Sequence, residues 1–105
     1  MSSLQIIQAR HDFGPAAWRE GAFFGRKIRV HLITVRMWMH QHWGHCTIGF
    51  EKGGTLYHLT MGYLFGHKPV KVQGPIDLEL DNFYITCSNA VTGDWAYIYI
   101  SFEYM

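Results

Sequence analysis

Two cysteines, Cys46 and Cys87, are all that these 105 residues contain. They are too few and too far apart in the chain to read as a disulfide framework, so a reduced, cytoplasmic protein is the simplest expectation. Charge is also sparse: 16% of residues are charged and the net charge is +1. Arg26, Lys27 and Arg29 cluster at one strand start, but no long basic stripe follows. Nucleic-acid binding is therefore a minor reading, and a solvated strand end is the plainer account of that cluster. No apolar run reaches membrane-spanning length, and the N-terminus lacks the basic, apolar and small-residue succession of a signal peptide. No membrane partner is expected. The chain shows no internal repeat, low-complexity tract or linker, and its composition excludes disorder as the default.

What the chain has in excess is aromatic surface: four Trp, six Tyr and seven Phe. One domain spanning 1–105 can build a real core, yet so many rings cannot all hide in it. Some must form an exposed face or line a cleft. Charge is uneven as well. Residues 1–50 carry six Arg/Lys against two acids, whereas residues 51–105 carry three against six.

The patterning is mostly that of strands. Leu4 to Gln8 reads as an edge strand. Gly14-Pro15 and Gly21 bracket Ala16 to Glu20, which fits one or two turns of helix. Lys27 to Met39 is rich in β-branched residues and predicts a long strand. Strict alternation sets Ile28, Val30 and Leu32 against His31, Ile33, Val35 and Met37, so both faces look apolar and the strand looks covered on both sides. Cys46 to Glu51 and Thr55 to Thr60 flank Lys52-Gly53-Gly54, a tight hairpin. Pro69 to Val72 predicts a strand, Gly74-Pro75 a turn, and Ile76 to Leu80 another short strand. Phe83 to Cys87 and Trp95 to Tyr104 are expected to pair as a second hairpin across residues 89–94. In the last strand Ala96, Ile98, Ile100 and Phe102 share one face, with Tyr97, Tyr99, Ser101 and Glu103 on the other. The expected fold is α+β and mainly antiparallel β, a small curled sheet or barrel with one short N-terminal helix.

Chemistry-bearing residues concentrate at 37–50, where His40, His42, His45 and Cys46 fall within seven positions beside Trp38 and Trp43. Imidazole is the commonest metal ligand and titrates near neutrality. His40, His42 and His45 could form a three-imidazole zinc face, although the spacing matches no recurrent ligand-pair pattern. The alternative is a set of histidines capping a strand end, with no cofactor.

The order of a long strand, "HWGHCTIGF", a Gly-Gly turn, "TLYHLT" and a glycine loop, residues 27–72, resembles the core of circularly permuted papain-like cysteine hydrolases. The resemblance implies an amidase or peptidase in which His45 is the general base and His58 orients it. Cys87, in "ITCSNAV", would be the nucleophile, at the start of a helix. Thiolate attack needs such a base in hydrogen-bond reach and a third group that fixes its tautomer. The hairpin reading instead makes Cys87 an ordinary strand residue, and only five residues separate it from Gly93.

Other residues have two readings each. His31 shares a strand face with Ile33 and Val35, so a satisfied core or interface histidine is expected there. His11 and His67 fall in loops. Phe23-Phe24 and Tyr63-Leu64-Phe65 fit core plugs or exposed anchors. Tyr97 and Tyr99 either cover a sheet face or anchor a partner. The reading that accounts for most of the chain is a small non-catalytic interaction or inhibitor protein, of the kind a phage or mobile element uses. It would bind and block a larger protein through Trp43, Tyr63, Phe65, Tyr97 and Tyr99. A thiol hydrolase, or a degenerate relative, is the alternative, and a His-cluster metal protein the second. A homodimer through an edge strand stays open.

Overall fold

The computed structural model describes residues 3–12, 18–38, 44–64, 69–88 and 95–105, all in strands or short turns. The strands are β1 (Leu4–Asp12), β2 (Trp18–Glu20), β3 (Arg26–Trp38), β4 (Gly44–Lys52), β5 (Thr55–Leu64), β6 (Val70–Leu80), β7 (Asn82–Ser88) and β8 (Trp95–Tyr104). They form two four-stranded sheets, ordered β1-β8-β3-β6 and β2-β7-β4-β5, and every pairing is antiparallel. Except for the β4–β5 hairpin, each connection passes from one sheet to the other. This is the strand order of an eight-stranded jelly roll, which packs two sheets face to face. The mainly antiparallel β expectation holds, as two sheets that do not close into a barrel. Among the described residues there is no helix, and none long and apolar enough to cross a membrane.

The expected helix at 16–20 resolves differently where it is described. Trp18–Glu20 is strand, pairing with Ile85, Tyr84 and Phe83 of β7. Trp18 is buried, and burying an indole against a sheet outweighs local helix signals worth tenths of a kcal/mol to about 1 kcal/mol each.

One core lies between the sheets. Ile28, Val30, Ile33 and Val35 of β3 and Ile98 and Ile100 of β8 face Ile48 of β4 and Phe83 and Ile85 of β7. Phe23 plugs the end of this core, with its ring edge-to-face against Phe83 at 5.5 Å and Phe102 at 5.4 Å. Its neighbour Phe24 is 88% exposed, at φ 52°. The pair thus splits into one plug and one projecting ring. The turn that carries them is fixed by the Phe23 and Gly25 N–H groups, which donate to the Asp81 and Leu80 carbonyls at 2.9 Å.

The length of β3 was legible, but its two apolar faces were not what they looked like. A bulge between Val30 and Leu32 shifts the register against both neighbours. The extra residue flips the alternation, so Ile28 and Val30 before it and Ile33 and Val35 after it all enter one core. The other face is polar, with Arg29, His31, Thr34 and Arg36 partly or wholly exposed. Gly74 permits the bulge, because a Cβ there would stand 2.0 Å from the Val30 carbonyl oxygen. Gly74-Pro75, a cis peptide, accordingly lies inside a continuous β6 rather than in a turn between two strands.

The Gly53-Gly54 hairpin forms as expected, both glycines at positive φ and Lys52 paired with Thr55. The C-terminal hairpin does not form. β7 pairs with β2 and β4, while β8 lies in the other sheet between β1 and β3. Each strand finds partners distant in sequence because its apolar face must meet the opposite sheet's.

Candidate functional site

The outer face of the first sheet is built by alternation along β8. Ala96, Ile98, Ile100 and Phe102 turn into the core, each at most 4% exposed. This leaves Trp95, Tyr97 and Tyr99 on the outside at two-residue spacing. Tyr97 is 53% exposed. The Trp95 and Tyr97 rings meet edge-to-face, with centroids 5.0 Å apart, an arrangement that fixes both rings. Cross-strand register then supplies the polar flanks. Tyr97 stands between Arg10 of β1 and Arg36 of β3, and Tyr99 between Gln8 and Thr34. The Arg10 guanidinium lies 4.8 Å over the Trp95 ring and bonds Asp12 through Nε at 3.2 Å. An open groove of about 330 Å³ runs beside the tyrosines, lined by Gln8, Thr34, Arg36, Pro69, Tyr97 and Tyr99. Among the described residues Arg36 has no carboxylate within 4 Å.

The other end of this face is electrically closed. Arg29 bonds Asp77 at 2.8 Å and approaches Glu103 at 3.9 Å, and His31 Nε2 lies 3.4 Å from Glu103. The hydrogen bond from Arg29 holds the Asp77 carboxyl below its ordinary range, and the same bond raises Arg29. Arg26 sits 3.8 Å over the Tyr104 ring. Arg26 and Arg29 of the basic cluster thus have intramolecular partners. His31 is a surface pair member rather than a core residue, because the bulge puts it on the outer face.

The residues of the hydrolase resemblance fall on three strands of the second sheet. Cys87 is inside β7, paired with Cys46. His45 pairs one position away, with Ser88 on β7 and Tyr63 on β5, and adjacent strand positions alternate between the two faces. His58 is exposed on β5 opposite Gly49, four positions along β4 from His45, or about 13 Å at the rise of a strand. A relay of hydrogen bonds requires about 3 Å. The backbone register thus sets His45 and His58 apart along the sheet.

For the metal reading, His45 is on β4, while His40 and His42 lie outside the described residues. Among the described residues no three potential ligands cluster. Of the binding residues, Trp43 and Phe65 also lie outside the described residues, and Tyr63 is placed on β5 by its backbone pairing with His45. Tyr97 and Tyr99 share the outer face described above. Sequence reasoning missed Trp95, Arg10 and Arg36. Trp95 was visible as the next member of the spacing 95, 97, 99. The arginines carried no local signal, since only register brings β1 and β3 beside β8. Leu56, Tyr57 and Met61 on edge strand β5 are also exposed, with Tyr57 stacked on Phe50 at 5.2 Å.

No family model matches the chain, and no curated protein matches its sequence.

Proposed function

We propose that this chain is a non-catalytic interaction module that docks on a larger protein, and blocks it, through the outer face of β1-β8-β3. The observation that carries the reading is the half-exposed Tyr97, flanked by two arginines above an open groove. Tyr, Trp and Arg are the residues in which binding energy concentrates, because each combines a large contact area with a directed polar group. Sheet backbone holds all of them, so little ordering entropy is lost on docking.

Among the described residues Arg10, Arg36 and Lys71 outnumber Asp12 on this part of the face, so the partner surface carries carboxylates around an apolar centre. Arginine and aromatic rings also suit single-stranded nucleic acid. The net charge of +1 and the pairing of Arg29 with Asp77 and Glu103 favour protein.

The test is site-specific photo-crosslinking in cells that natively hold the protein, with a benzophenone side chain at Tyr97 or, as control, at Tyr84 on the second sheet. The expected result is one discrete protein adduct from position 97, resistant to nuclease and abolished by Arg36→Glu. Equal adducts from both positions, or none from 97, would overturn the reading.

A further inference from the structure

We infer that Cys46 and Cys87 are a cross-strand thiol pair that closes to a disulfide between the two inner strands of the second sheet. The chain's two cysteines lie 41 positions apart, yet they occupy one rung of the β4–β7 ladder. The register runs without a shift from His45↔Ser88 through Cys46↔Cys87 to Glu51↔Asn82. Directly opposed residues of an antiparallel pair have Cα atoms about 4.5 or about 5.5 Å apart, depending on the rung. Both values fall inside the span of about 4.4–6.8 Å that a disulfide bridges. Opposed positions also share one face of the sheet. Cys46 is 0% exposed, on the core face with Ile48.

The location adds a topological consequence. β4 and β7 are the two central strands of their sheet, and β5 and β6 lie between them in sequence. A bond at this rung joins two strands of one sheet and closes a loop that runs through β5 of that sheet and β6 of the other, and not merely one hairpin. The rung also stands at the last turn of the ladder, two positions from the start of β4 and one from the end of β7. Strand ends open at lower free energy than strand centres, which gives reagents a route to a buried thiol.

Closure proceeds by exchange with a small-molecule disulfide such as oxidised glutathione. One cysteine thiolate attacks a glutathione sulfur, forming a mixed disulfide and expelling one glutathione thiolate. The second cysteine thiolate then attacks the protein sulfur of that mixed disulfide and expels the other glutathione. Two protein thiols are oxidised to one disulfide, two glutathione thiols are formed, and the two protons pass to the released thiolates.

The folded full-length chain is equilibrated over a series of oxidised-to-reduced glutathione ratios, acid-quenched, denatured and treated with N-ethylmaleimide. Intact mass and a non-reducing peptide map are then read. The expected product has lost two hydrogens, takes no maleimide, and yields one peptide pair joined at Cys46 and Cys87 that a phosphine reductant separates. The same titration in concentrated urea serves as reference. The native closure constant should exceed the denatured one by at least about tenfold, because the ladder holds the two residues directly opposite each other. Two maleimide adducts, a persistent glutathione adduct, a disulfide-linked dimer, or equal constants in the two conditions would each overturn the inference.

Discussion

Replacing Gly74 with alanine probes the least obvious feature of this fold, the bulge that lets β3 feed one core from both halves of its length. A Cβ at this position would stand 2.0 Å from the Val30 carbonyl oxygen and 3.0 Å from that of His31. Comfortable carbon–oxygen contacts begin near about 3.3 Å, so β6 and β3 would have to part by more than about 1 Å. Neither has room to yield. On its far side β3 is held by β8 through Val30↔Phe102 and Leu32↔Ser101, and Ile28, Val30, Ile33 and Val35 are wholly buried around the site. Overpacking of this kind costs about 3 kcal/mol, a large share of the roughly 5–15 kcal/mol that holds a domain together. The melting temperature should then fall by roughly 12 °C or more. Gly53→Ala is the control: it has φ +58° and nothing within 4 Å, so it pays only the left-handed backbone term of about 1–2 kcal/mol. Urea unfolding followed by tryptophan fluorescence measures both variants. If Gly74→Ala proves no more damaging than Gly53→Ala, the close approach of β6 to the bulge is wrong.

Three other outcomes are expected. Oxidising the Cys46–Cys87 pair should stabilise the chain by about 2–4 kcal/mol, since a loop of this length gives close to 4 kcal/mol in the chain-entropy account; superimposable urea curves for the oxidised and reduced forms would count against it. Phe24→Asn should raise stability by about 0.5–1 kcal/mol, because asparagine tolerates the left-handed conformation and the exposed ring contributes no core packing; a loss in melting temperature would show that the ring has contacts. The Arg29–Asp77 pair should leave a small pH signature. Its carboxyl is held below the ordinary value of 3.8, so its stabilisation is present above that value and fades as pH falls through the lowered one. Asp77→Asn should remove that acid-limb component, as read from unfolding midpoints between pH 2 and 7.

Local chemistry made part of this architecture readable. The Gly53-Gly54 turn needs two positive φ angles in succession and declares itself. The alternation of β8 separates four core residues from the tyrosines with no knowledge of its neighbours. What misled was anything set by non-local pairing. A bulge looks like a doubly buried strand when its extra residue goes unnoticed, and a glycine that admits a neighbouring backbone looks like a turn. β7 and β8 are adjacent in sequence, which suggests a hairpin, but their apolar faces are satisfied in opposite sheets. The same cause hid the shared rung of Cys46 and Cys87 and the arginines around Tyr97, because register is a property of the assembled ladder.

The docking face is tested most directly by calorimetric titration of the crosslinked partner, once isolated, against Tyr97→Ser and Tyr84→Ser. Removing Tyr97 should weaken binding by about 2 kcal/mol or more, roughly thirtyfold, as expected of a central aromatic anchor, with the variant still folded at the assay temperature. The Tyr84 variant should bind as the parent does. Equal affinity of both variants and the parent would place the partner elsewhere on the molecule and contradict the account.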